Sequence, residues 1–151
     1  MKVRDLMTQH PEVCVPTDSC AVAGEIMARR NCGFVPVVDS LATMRVIGVL
    51  TDRDLALHLV HAGCPAERIA VEVCMTRPVK AISPDADLDE AVRLMESGAI
   101  HRLPVVEGGR LIGILSLKDI ASFARNASAL AGAGIVERQV AEIVEAISVA
   151  R

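Results

Sequence analysis

With 151 residues, a net charge of −3 and only two phenylalanines as aromatics, the chain lacks the cationic footprint and the stacking rings of a nucleic-acid binder. Its apolar fraction of 52% is almost wholly aliphatic, enough for one compact domain or two small ones around a buried core. No apolar run approaches the ~18 residues of a membrane span, and the opening Met1-Lys2-Val3-Arg4-Asp5 lacks the apolar core of a signal peptide, so a cytoplasmic protein is expected.

Taken in order, the elements repeat. Asp5-Leu6-Met7-Thr8-Gln9-His10-Pro11 returns as Glu72-Val73-Cys74-Met75-Thr76-Arg77-Pro78. Short apolar-alternating pieces follow, Val13 to Val15 and Val79 to Ile82, which read as brief strands. Ser19 and Asp87 then sit where helix N-caps belong, and Glu90 completes a capping box with Asp87. The predicted helices run over Ala21–Arg30 and Leu88–Ser97, the second ending at Gly98. Phe34-Val35-Pro36-Val37-Val38 and Leu103-Pro104-Val105-Val106 are apolar without alternation, as in strands buried on both faces. Both prolines are expected at strand starts, where a missing N–H is tolerated. The turn Ser40 to Arg45 is three residues longer than its partner Gly108-Gly109-Arg110. Each unit then closes on a glycine, two aliphatic residues, a hydroxyl residue, two variable positions and an aspartate: Gly48 to Asp54, and Gly113 to Asp119. That pattern predicts a buried strand running into a helix, over Asp52 to about Val60 and over Leu117 to about Phe123.

The fold class is therefore α/β (α+β), built from two β-α-β-β-α units that share a core about a pseudo-twofold axis. The expected division is repeat one over 1–62, a linker over 63–70 with a short helix from Pro65 to Ile69, repeat two over 71–125, and a tail over 126–151. In the tail, Ala127 to Gly134 reads as flexible or bent, and Ile135, Val136, Val140, Ile143, Val144 and Ile147 mark an amphipathic helix. The five cysteines (Cys14, Cys20, Cys32, Cys64, Cys74) are scattered, without a C-x-x-C pair, and read as reduced thiols rather than a zinc site. His10, His58 and His61 have no visible partners for a metal.

Thr51-x-x-Asp54 and Ser116-x-x-Asp119 have two compatible readings. A hydroxyl with an acid three residues later is a helix cap. A carboxylate there can also accept from both hydroxyls of a ribose, and the helix N-terminus favours a phosphate near the threonine or serine. Ile100-His101-Arg102, before the second central strand, reads from its residues alone as a surface turn. No nucleophile–base pair or phosphate-binding P-loop is visible, so no catalytic role is expected.

The M-T openings closed by a proline (M-T-x-x-P at Met7 to Pro11, M-T-x-P at Met75 to Pro78), the Pro-Val-Val-acidic strands and the G-h-h-[TS]-x-x-D endings, each found twice, resemble a CBS-domain pair, or Bateman module, of the stand-alone bacterial type. The resemblance covers residues 1 to about 125. It implies a regulatory module that needs no cofactor and binds an adenosyl ligand such as AMP, ATP or S-adenosylmethionine in clefts between the repeats. It further implies a homodimer and an unidentified regulated protein as partner, with neither nucleic acid nor membrane involved. In the family, one repeat's [TS]-x-x-D ending shares a cleft with the other repeat's opening and pre-strand residues. The basic cleft would then hold Thr51, Asp54, Val79, Lys80, Ile100, His101 and Arg102, and suit a phosphorylated nucleotide. The second cleft would hold Val13, Cys32, Gly33, Phe34, Ser116 and Asp119. The alternative is a ligand-free dimeric scaffold in which the two motifs act only as caps.

Overall fold

The computed structural model describes residues 1–131, together with Ala141 and Glu145. In chain order it contains a 3-10 turn (Val3–Asp5), β1 (Thr8–Gln9), α1 (Cys20–Arg30), β2 (Phe34–Val38), β3 (Val46–Thr51), α2 (Asp52–Ala62), a 3-10 turn (Ala66–Arg68), α3 (Val71–Cys74), α4 (Leu88–Gly98), β4 (Arg102–Glu107), β5 (Arg110–Ser116) and α5 (Leu117–Ala131). The chain divides into two compact units, and their make-up crosses the repeat. One unit comprises His10–Val79 with Gly108–Leu111; the other comprises Met1–Gln9, Lys80–Glu107 and the chain from Ile112 onward.

In the first unit β2 and β3 form an antiparallel pair in which Phe34 lies opposite Thr51 and Val35 opposite Leu50. All five β2 residues are buried, as the unbroken apolar run predicts. Pro36 stands in the middle of β2, not at its start, because its backbone is used from the other side: its carbonyl accepts from the Cys14 amide at 3.0 Å. The expected strand around Val13–Val15 is only this bridge between Cys14 and Val37. Ile82 makes the same single bridge to Val105 in the second unit. The prolines at 11 and 16, and at 78 and 84, leave little backbone between them to extend either ladder. Helix α1 buries Cys20, Ala23, Ile26 and Met27 against Val35, Val37 and Leu50, and α3 adds Val71 and Cys74 to the same core.

The longer turn of repeat one is firmly tied. The Asp39 carboxylate accepts from the Ser40 and Arg45 amides at 2.7 and 3.2 Å and from the Thr43 hydroxyl, and these bonds hold its pKa below the usual range. The Arg110 guanidinium reaches the Ala42 and Thr43 carbonyls at 2.7 and 3.2 Å, and the Leu111 amide bonds Met44 at 2.8 Å. Those contacts draw Gly108–Leu111 into the first unit.

The second unit contains a three-stranded sheet in the order β1-β5-β4. Its core gathers Val3, Ile82, Ala91, Met95, Leu103, Val105, Leu115 and Ile120. The N-terminal segment is held by bonds from the Val3 amide to Ala86 and from the Arg4 amide to Pro84, both 3.0 Å. Opening motifs and closing motifs thus meet in each unit. The Thr8–Gln9 strand pairs with Ile114 and Gly113 of β5, while Thr76 bridges Val49 of β3. The methionine before each threonine covers the motif glycine: an added Cβ would meet Met75 Sδ at 2.5 Å on Gly48, and Met7 Sδ at 2.8 Å and the Thr8 carbonyl oxygen at 2.9 Å on Gly113. Gly113→Ala is therefore expected to push β1 off β5 and to lower stability by about 1–3 kcal/mol. Urea unfolding together with amide exchange at Thr8 and Gln9 checks this; unchanged protection there would contradict it.

Several expectations about helix ends are corrected. Ser19 and Asp87 occupy N-cap positions, but neither side chain accepts a capping bond. Asp87 pairs with the Lys2 ammonium at 3.0 Å instead, so the box with Glu90 does not form. Gly98 is the last residue of α4, and the left-handed cap is Ala99. Helix α5 runs on to Ala131 rather than ending near Phe123, so Ala127–Ala131 is helical and not a bend. The amphipathic helix expected around residues 135–147 lies outside the described residues.

Candidate functional site

The two closing motifs have the same local geometry. In the first unit, Asp54 Oδ2 accepts from both the Thr51 amide (2.9 Å) and the Thr51 hydroxyl (2.8 Å), and the Asp54 amide donates back to Thr51 Oγ1 at 3.1 Å. In the second unit, Asp119 Oδ2 accepts from the Ser116 amide (2.8 Å) and hydroxyl (2.6 Å), and its amide returns a 3.1 Å bond. The capping reading is thus realised at both sites. Each cap also divides its carboxylate. One oxygen is committed to the cap. The other, Oδ1, accepts no hydrogen bond among the described residues, and all four side chains are half-buried. The geometry does not offer two free oxygens to a ribose diol; it offers one, on a carboxylate held in a fixed orientation. Each hydroxyl proton is likewise committed, so Thr51 and Ser116 have only an acceptor lone pair to spare.

The residues before the central strands dock on the helix starts. The Gly33 carbonyl accepts from the Asp52 amide at 3.2 Å, and the His101 carbonyl accepts from the Leu117 amide at 2.8 Å. This fixes Gly33 and Phe34 next to Thr51, and His101 and Arg102 next to Ser116. At Gly33 an added Cβ would lie 2.4 Å from Asp52 Oδ2, so the exposed Asp52 side chain would have to turn away. Cys32 is half-buried, with its thiol directed to the Phe34 carbonyl at 3.5 Å. Val13 lines a groove of about 470 Å³ with Pro11, Val22, Ile26, Leu41 and Met44.

Lys80, His101 and Arg102 all belong to the second unit. A Cβ at Gly98 would stand 3.0 Å from the Lys80 ammonium and 3.2 Å from the Ile100 side chain. A cation there faces the carbonyl end of α4, a favourable position. Lys80 is exposed, and His101 and Arg102 are half-buried. None of the three pairs with a carboxylate among the described residues, whereas Lys2, Arg4, Arg29, Arg30 and Arg45 all do. The residues expected in the basic cleft are therefore divided: Thr51, Asp54 and Val79 belong to the first unit, and Lys80, Ile100, His101 and Arg102 to the second. Those expected in the second cleft are divided too, Val13, Cys32, Gly33 and Phe34 from Ser116 and Asp119.

The methionine lids on Gly48 and Gly113 were not anticipated from the sequence. The signal was present, since the repeated M-T and the repeated glycine are both visible, but their pairing is a tertiary fact. No group of three or more His, Cys, Asp or Glu side chains among the described residues is arranged to hold a metal. No described helix is long and apolar enough to cross a membrane.

The chain matches the CBS domain over residues 3–61 and again over 69–126. Two Bacillus subtilis proteins, YlbB and the CBS domain-containing protein YhcV, are each 34% identical over 119 residues, 79% of this chain and 79% and 82% of theirs. The CBS domain pair of MJ0100, solved with 5′-methylthioadenosine and S-adenosyl-L-methionine, aligns with a TM-score of 0.75 and 25% identity over 84% of this chain and 98% of that one. CBSX2, solved with AMP, aligns with a TM-score of 0.70 and 27% identity over 84% and 98%. The chain belongs to the CBS-domain family, as a protein with two CBS repeats.

Proposed function

We propose that the protein is a regulatory sensor that binds an adenosyl ligand through its [TS]-x-x-D motifs and has no catalytic role. The observation that carries this reading is the divided carboxylate. A cap needs one oxygen of Asp54 or Asp119, and in both motifs the second oxygen stands free at a half-buried position, oriented by the first. A fixed acceptor of this kind suits a ribose hydroxyl. The ligands bound by MJ0100 and CBSX2 support the class: 5′-methylthioadenosine and S-adenosyl-L-methionine in one, AMP in the other. Lys80 and Arg102, cations without acidic partners among the described residues, and His101 next to Arg102 in the chain, favour a phosphorylated nucleotide over an uncharged nucleoside.

In this proposal Thr51, Asp54, Val79, Lys80, Ile100, His101 and Arg102 form the phosphate-holding site. Val13, Cys32, Gly33, Phe34, Ser116 and Asp119 form a second, neutral one. The repeats span 1–62 and 71–125, joined by 63–70 and followed by the tail 126–151. The protein acts in the cytoplasm as a homodimer and passes ligand occupancy to a regulated partner as a change of shape.

The scaffold reading is favoured by one observation, the completeness of both caps, which accounts for each hydroxyl without a ligand. Melting-temperature titrations with AMP, ATP, NAD and S-adenosylmethionine separate the two readings. A ligand present at 100 times its dissociation constant is expected to stabilise the fold by about 2.7 kcal/mol. If none of the four moves Tm, the scaffold reading stands and the sensor reading fails.

A further inference from the structure

Two buried cysteines in the core of the first unit lie side by side. Cys20, the first residue of α1, directs its thiol at Cys74 Sγ, the last residue of α3, at 3.4 Å. They are 1% and 2% exposed. The backbone is fixed around both. The Cys20 amide bonds the Ile69 carbonyl at 2.8 Å, and the amides that start α3, Val71 and Glu72, bond Asp18 at 2.8 Å and Pro16 at 3.1 Å. A disulfide has a sulfur–sulfur length of ~2.05 Å, so each Sγ need move inward by only about 0.7 Å, within reach of side-chain rotation alone.

From this juxtaposition we infer that Cys20 and Cys74 are a covalent modification site, an oxidisable pair that a peroxide converts to an internal disulfide. The two thiols share one hydrogen bond, whose proton either sulfur can carry, so either can react first, and the atoms balance in the same way for both orders. With Cys74 first, its Sγ takes one oxygen from the peroxide to become a sulfenic acid, and one water leaves. Cys20 Sγ then displaces the hydroxyl, its own proton departing with it as the second water. Two thiols lose two electrons and two protons, and one peroxide becomes two waters. Burial, and then the bond to Cys74, push the Cys20 thiol up to about 12, and burial pushes Cys14 to about 12 as well. The reaction is therefore slow, and a small neutral oxidant is the class that suits thiols exposed by only 1% and 2%.

The consequence is mechanical. The segment that carries Cys74 also carries Met75, the cover of Gly48, and Thr76, the partner of Val49. Oxidation would bolt that segment to α1, and reduction would leave it held by packing and hydrogen bonds alone.

The test is peptide mapping of the folded wild-type chain after hydrogen peroxide and alkylation of the remaining thiols. Cleavage before Asp18 and after Arg68 separates Cys20 from Cys14 and Cys74 from Cys64. The expected result is a single cross-link, Cys20 to Cys74, two hydrogens lighter than the reduced pair, with a Tm raised by several degrees and restored by dithiothreitol. Oxidation in urea should scramble the pairing. A cross-link of Cys20 to any other cysteine in the folded chain, or both thiols recovered in alkylated form after peroxide, would overturn the inference.

Discussion

Asp54→Ala should weaken nucleotide binding by about 10–100-fold, the worth of one hydrogen bond to a charged acceptor. It should also cost the fold about 1 kcal/mol, since the same side chain completes the Thr51 cap. The two losses are separable because the carboxylate is divided: Oδ2 serves the helix, and Oδ1 is the oxygen proposed for the ribose. Asp119→Ala removes an equivalent cap and so should cost similar stability, yet leave binding at the phosphate-holding site intact. Isothermal titration of both variants with the nucleotide that shifts the wild-type Tm provides the comparison. If Asp119→Ala abolished binding while Asp54→Ala spared it, the pairing of Asp54 with His101 and Arg102 would be wrong. Equal stability losses with no change in affinity for either variant would return both motifs to capping alone.

Leu50→Ala should be the most damaging simple truncation in the first unit, at about 2–5 kcal/mol. Leu50 is fully buried, lies opposite Val35 in the strand pair and packs in the core with α1 and α3. Bridges from Cys14 to Val37 and from Thr76 to Val49 flank the strand pair on both sides and hold the backbone around the space. Leu57 of α2 is the matched control: it is 50% exposed, and its truncation should stay within about 0.5 kcal/mol. Urea unfolding of the two variants would show the contrast as a fall in midpoint for Leu50→Ala at nearly constant m. Equal midpoints would mean that Leu50 is not a core residue.

The central strands, the closing strands and the helix starts that follow them were legible because their causes are local, whereas the expected strands at Val13–Val15 and Val79–Ile82 form only single bridges. An unbroken run such as Phe34–Val38 has no polar side to expose, and a hydroxyl three residues before an acid closes on itself. What sequence reasoning missed depended on competition from far along the chain. Asp87 has the right neighbour for a capping box but is claimed by Lys2 of the N-terminal segment. Pro36 could sit inside β2 because Cys14 uses its carbonyl and the strand's other edge needs no donor at that position. The small residues from Ala127 to Gly134 suggest flexible or bent chain, although alanine has the highest helix propensity and α5 continues as far as Ala131. At the candidate site the residue types and spacing were visible from the start. The orientation was not, since spacing alone cannot say which carboxylate oxygen a cap consumes.

The crossed make-up of the two units has a consequence for how such a chain can be cut. Each half of the sequence donates its opening segment to the core completed by the other half, in the manner of partners that have traded an arm. The methionine over each motif glycine comes from the other half of the sequence, Met75 on Gly48 and Met7 on Gly113. In the fused chain, a break in the stretch joining the repeats would not free the halves. They would remain interlocked like clasped hands after the string between the wrists is cut.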